Sequence, residues 1–154
     1  MDLPPFQHLL DDHGADVHRF CVAQAGPHHG PDCFQETVIS ALRAYPDLRD
    51  QRNLRGWLFT IAHHKVLDHH RATGRRPYPV DTVPERAVVA EPGVDAALWE
   101  AVGRLPTKQR GAIALRYLGD LPYADIALAL DCTEAAARQN VRAGLAALRQ
   151  EVLV

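Results

Sequence analysis

The chain has 154 residues, 47% hydrophobic and 23% charged, which suits one ordinary domain or two small ones with packed cores. Its 17 basic and 19 acidic side chains leave a formal charge of −2, so no global field draws it onto nucleic acid or anionic lipid. Any DNA contact has to come from local positive charge.

Cys21, Cys33 and Cys132 are an odd number at long spacings with no CxxC, which argues against a disulfide framework and fits a reducing cytoplasm. The N-terminal MDLPPFQHLL is acidic and has no long apolar run, so neither a signal peptide nor membrane insertion is expected. In chain order, helices are expected near residues 5–25, 31–45 and 53–74. Pro31 and Asp32 suit the start of the second, proline as an early helical residue and aspartate at the positive helix end. YPDLRDQRN interrupts the pattern at Pro46. Leu54, Trp57, Leu58, Ile61 and Ala62 then follow the i, i+3, i+4 rhythm of a buried stripe, which places Trp57 in the core. Helices joined by so short a loop lie side by side.

Residues 77–95 hold four of the eleven prolines and one arginine against four acids, the composition of an extended linker of charge −3. Beyond it, helices are expected near 95–104, 107–118, 122–130 and 134–151, with Thr107 capping the second. The fold class is therefore all-α, two small helical domains at 1–76 and 96–154 joined by an acidic, proline-containing linker at 77–95.

PYADIALALDCTEAAARQNVRAGLAALR has the layout of a helix-turn-helix. Ile126, Ala127 and Leu130 face inward, small Ala127 allows a close crossing, Asp131 takes the left-handed turn position, and Thr133 caps the last helix. That helix buries Ala137, Val141, Leu145 and Leu148 and presents Arg138, Gln139 and Arg142 outward. Arginine reads guanine edges, and glutamine or asparagine reads adenine. A plain helical bundle with a solvated charged face has the same pattern.

The segment RLPTKQRGAIALRYLGDLPYADIALALDCTEAAARQNVRAGLAALR closely resembles region 4 of bacterial RNA polymerase sigma factors of the extracytoplasmic-function (ECF) group. DCFQETVISALRAYPDLRDQRNLRGWLFTIAHHKVLDHHR resembles region 2 of the same group, through its D-x-x-QE and LRxWLxxIA patterns. The resemblance implies a three-helix region 2, a four-helix region 4 and a protein that binds core RNA polymerase and directs transcription initiation at promoters. It implies that Asp32, Gln35 and Glu36 dock on the β′ clamp and that region 4 meets the β flap. Asp50, Arg52, Asn53, His63, His64, Lys65, Arg71 and Arg75 are implied at the promoter −10 element, where the double strand opens. Thr133, Arg138, Gln139, Asn140 and Arg142 are implied at the −35 element. Relatives of this kind are commonly held by an anti-sigma factor. The last helix is less basic than is usual for the family, with Asn140, Ala143 and Leu145 where Arg or Lys is common. A sigma-like helix-turn-helix regulator, or a polymerase-binding decoy that does not melt promoters, is the alternative.

The run IAHHKVLDHHR carries four of the nine histidines in eight residues, and a metal site is the obvious competing idea. His63 and His70 are about 10 Å apart along a helix axis, too far for one ion. His64 with Asp68 is the sole i, i+4 pairing there, where a site needs more ligands. His18-x-x-Cys21 is likewise only a two-ligand fragment. No metal or cofactor is expected, and with no phosphate-binding glycine loop, HExxH or paired catalytic carboxylates, no enzyme activity either. His63 and His64 stand where the family often has Arg-Asn facing the −10 strand, so strand affinity is expected to rise as pH falls from about 7.5 to 6.

Overall fold

The computed structural model describes residues 3–73 and 96–153, and helices account for all regular structure among them. The linker at 77–95, together with Arg75 and Arg76, lies outside the described residues.

Helix α1 spans Phe6–Ala44 but breaks at Gly26, whose φ of 90° and ψ of 169° suit only glycine. Pro27 follows at the first position of the second arm, where a missing N–H costs nothing. The second arm therefore starts one turn before Pro31, and Pro31 lies inside the helix. The arms fold back on each other at Gly30, where an added Cβ would stand 2.4 Å from the Cα of Val22. A 3₁₀ turn at Tyr45–Asp47 ends α1, and the Tyr45 hydroxyl donates to the Pro4 carbonyl at 2.5 Å. Helix α2, Leu54–Thr73, packs along both arms. Phe20 and Phe59 meet edge to face at 5.3 Å, with Val17, Leu58, Ala62 and Val66 fully buried around them. Half-buried Trp57 lies against this core, its ring 6.1 Å from that of Tyr45.

The C-terminal half has α3 (Ala96–Gly103), α4 (Thr107–Tyr117), α5 (Tyr123–Leu130) and α6 (Glu134–Leu153). Thr107 does not cap α4: Pro106 occupies the cap position and no side chain bonds the free amides. Ile113, Leu115, Ile126, Ala137, Val141 and Leu148 form its core. Gly144 lets α6 approach α4, since a Cβ there would stand 2.9 Å from Ile113.

The two halves are not merely tethered. Helix α2 packs on α4 and α5, and α1 on α3 and α4. This contact buries His63 of α2 against α4.

Candidate functional site

Asp32, Gln35 and Glu36 are all exposed on the second arm of α1. Their i, i+3, i+4 spacing lines them on one helix face. The same face continues into Ile39 and Leu42, which are 41% and 53% exposed. Sequence reasoning missed these two. Their signal was available, because Ile39 follows Glu36 by three residues and Leu42 follows Ile39 by three, on a helix whose inner face is already supplied by Cys33, Thr37 and Ala41.

The loop before α2 is tied down by its own side chains. The Arg52 guanidinium donates twice to the Asp50 carboxylate at 3.0 Å, and the Arg52 amide donates to the same group. These bonds hold the Asp50 carboxyl down at about 2. Asn53 caps α2, its Oδ1 accepting from the Gly56 amide at 2.9 Å. Exposed Asp50, Arg52 and Asn53 therefore form a preset surface.

On α2 the histidines separate. His64 is exposed, Lys65 half-buried, and Arg71 exposed with Asp68 at 3.6 Å. His63, expected beside them, is only 2% exposed. Its ring lies against Gly111 of α4, where an added Cβ would stand 2.7 Å from the His63 Cε1. Leu130 of α5 closes the same spot. Burial, reinforced by the nearby charges of His64, Arg110 and Arg71, pushes His63 down to about 3. In this buried position His63 is held neutral near neutral pH, whereas His64 beside it is exposed. His70 is also buried, pushed down to about 4 by burial and by Arg110, with its Nε2 3.1 Å from the Gln24 carbonyl. His64, Leu67, Asp68 and Arg71 face Lys108 and Asp131 across an open groove of about 390 Å³.

The helix-turn-helix has the geometry its residues imply. Asp131 adopts φ 57°, ψ 54° at the end of α5, and the Cys132 amide returns to the Ala127 carbonyl at 3.0 Å. This is the left-handed helix end that aspartate tolerates better than most residues. The Thr133 hydroxyl accepts from the Ala136 amide at 3.0 Å and caps α6. Arg138, Gln139 and Arg142 are exposed along α6, and Asn140 is half-buried. Arg138 lies over the Tyr123 ring at 5.2 Å and 3.4 Å from Glu134, so α5 and α6 together aim it.

Among the described residues no group of three His, Cys, Asp or Glu side chains could hold a metal ion. Cys21 belongs to the first half's interior, its thiol fully buried and its pKa raised by that burial, and half-buried His18 meets the Phe34 ring edge to face at 5.2 Å.

The family model for sigma-70 region 2 matches residues 9–76, and that for sigma-70 region 4 matches residues 95–148. The ECF RNA polymerase sigma factor SigD of Mycobacterium tuberculosis is 35% identical, over 89% of this chain and 72% of that protein. This chain belongs to the ECF RNA polymerase sigma factors. SigC of the same organism is 30% identical to this sigma factor over 82% of the chain and 71% of the relative. Among solved structures, the sigma factor RpoE in complex with the anti-sigma factor NepR from Bartonella quintana superimposes with a TM-score of 0.79. That match covers 99% of both chains at 23% identity. CnrH in complex with the cytosolic domain of CnrY gives 0.75 at 22% identity, covering 96% of this chain and 86% of that one. Regions 2 and 4 of this sigma factor are thus the two helical halves, and the protein directs promoter recognition by RNA polymerase in transcription initiation. No described helix is long and apolar enough to cross a membrane.

Proposed function

We propose that this sigma factor divides its work over three surfaces, with residues 1–76 and 96–154 as its domains and 77–95 as the linker. The exposed Asp32, Gln35 and Glu36 face, extended by Ile39 and Leu42, docks core polymerase at the β′ clamp, while region 4 meets the β flap. Carboxylates meet basic groups of the clamp, and the two apolar side chains add area removed from water.

The loop carrying Asp50, Arg52 and Asn53 reads exposed bases of the −10 element, while His64, Lys65, Arg71 and Arg75 meet phosphates. His63 joins this surface only when the halves separate. Helix α6 enters the major groove of the −35 element through Arg138, Gln139 and Arg142, with Thr133 and Asn140 at its flanks.

The helix-turn-helix geometry carries the reading most directly: a left-handed Asp131 and a capped α6 hold three exposed polar side chains in register for base edges. The chain itself catalyses nothing, nucleotide addition being the polymerase's chemistry, and it works in the cytoplasm. An anti-sigma partner belongs to the proposal, because RpoE, a protein of similar fold, was solved bound to one. The purified chain with core polymerase should give run-off transcripts from a cognate promoter. Polymerase binding without transcripts would instead indicate a decoy.

A further inference from the structure

We propose, resting on the −35 reading of α6, that Tyr123 and Arg116 are positioning residues for promoter specificity: together they hold Arg138 in the orientation that meets a base edge. Tyr123 is the first residue of α5, with Pro122 at the cap position before it. Its half-buried ring meets guanidiniums from two other helices. Arg138 of α6 lies over the ring at 5.2 Å, and Arg116 of α4 lies over it at 4.8 Å. Each cation is drawn to the electron-rich face of the same phenol. Arg116 is itself anchored. One of its terminal nitrogens donates at 3.0 Å to the carbonyl of Leu121, a buried residue on the backbone that leads into α5. The end of α4 and the start of α5 therefore fix the platform on which Arg138 rests.

Stacking engages the flat face of a guanidinium and leaves its rim of N–H donors free. That rim is what pairs with guanine O6 and N7. A long side chain ordered before it meets DNA loses less freedom on binding, so the stack favours the base that Arg138 recognises. Glu134, one turn back on α6, accepts from Arg138 at 3.4 Å, but both side chains are half exposed. Such a pair is weak and is readily exchanged for a base. The lasting restraint on Arg138 is the ring.

The full chain with core polymerase selects sites from a promoter library randomised across the −35 element, and sequencing reads the base preference at each position. Arg138→Ala should lower the preference at one position roughly tenfold. Tyr123→Leu should lower it at that same position by about two- to fivefold and leave the position read by Arg142 unchanged. Tyr123→Phe keeps the ring and should preserve the wild-type profile. Arg116→Gln frees one side of the ring and should lower preference at the Arg138 position by about twofold. In an Arg138→Ala background, Tyr123→Leu should have no further effect there.

A Tyr123→Leu profile identical to wild type would overturn the positioning role. So would a loss spread evenly over all positions, which is what simple destabilisation of region 4 produces, or additive losses in the double variant. If Tyr123→Leu does not fold, Arg116→Gln carries the test: a loss confined to the Arg138 position supports the stack, and an unchanged profile removes it. An unaltered Arg138→Ala profile would refute the −35 reading and this role with it. An altered Arg138→Ala profile beside an unaltered Tyr123→Leu profile would refute the role of Tyr123 alone.

Discussion

Lowering the pH should weaken the folded protein, and His63 should carry much of the effect. Its folded value of about 3 lies below the ordinary 6.5, so the folded state binds this proton less well than the unfolded one. The stability it contributes is fully present above 6.5 and is lost as pH falls from 6.5 toward 3. One unit below 6.5, at about pH 5.5, the loss from His63 alone is about 1.4 kcal/mol, a tenfold shift in the equilibrium. His70, lowered to about 4, acts in the same direction and adds a loss of similar size at about pH 5.5, because both folded values lie well below that pH. Urea unfolding followed by circular dichroism at about pH 7.5 and 5.5 measures the loss. His63→Leu keeps an apolar body in the seat and removes the titration, so it should reduce the acid sensitivity by about 1 kcal/mol. Equal acid sensitivity in wild type and variant would mean that His63 already ionises freely, and the buried seat would be wrong.

Gly30→Ala forces a Cβ to within 2.4 Å of the Val22 backbone and should destabilise region 2 by about 3 kcal/mol, read as a fall in melting temperature; an unchanged melt would deny the crossing of the two arms. Asp131→Gly should be neutral or stabilising by up to about 1 kcal/mol, whereas Asp131→Val should cost about 2 kcal/mol, because only the first relieves the left-handed backbone. Replacing Gln35 and Glu36 with alanine should weaken core polymerase binding without lowering the melting temperature, and unaltered affinity would remove them from the docking face. Arg138→Ala or Arg142→Ala should cost about 1–3 kcal/mol at individual −35 positions in a binding-site selection, and an unaltered profile would place the reading edge elsewhere on α6.

What was legible in the sequence was mostly local. The turn of the helix-turn-helix could be read because Asp131, Thr133 and small Ala127 each satisfy a short-range requirement of backbone or capping, and the structure uses all three. The start of the second arm was misplaced by a turn because two prolines, Pro27 and Pro31, compete for the opening position, and only the φ of Gly26 decides between them. Thr107 looked like a cap because threonine favours that role, yet Pro106 takes the position.

The burial of His63 was hidden for a different reason. The apolar stripe through Leu58, Ala62 and Val66 marks one buried face of α2, and a second lies beside it. Phe59, His63, Val66 and His70 recur at spacings of four, three and four, and all are buried. That rhythm was the available signal, obscured because two of its members are titratable. The contact between the halves has no comparable signal, since it depends on tertiary juxtaposition across residues 74–95.

Arg55 of α2 grips the Gly119 carbonyl at the end of α4, at 2.9 and 2.6 Å, and this contact is written unevenly into the chain. Region 2 contributes a specific side chain, whereas region 4 contributes a peptide carbonyl that every residue possesses. Mutation at position 119 cannot delete the acceptor; it can only crowd Phe59 or the Leu115 carbonyl, which an added Cβ would meet at 2.7 Å. A saturation scan should therefore find position 55 sensitive to the loss of a donor and position 119 sensitive to added volume. One half of the contact is encoded by what a residue carries, the other by what it lacks.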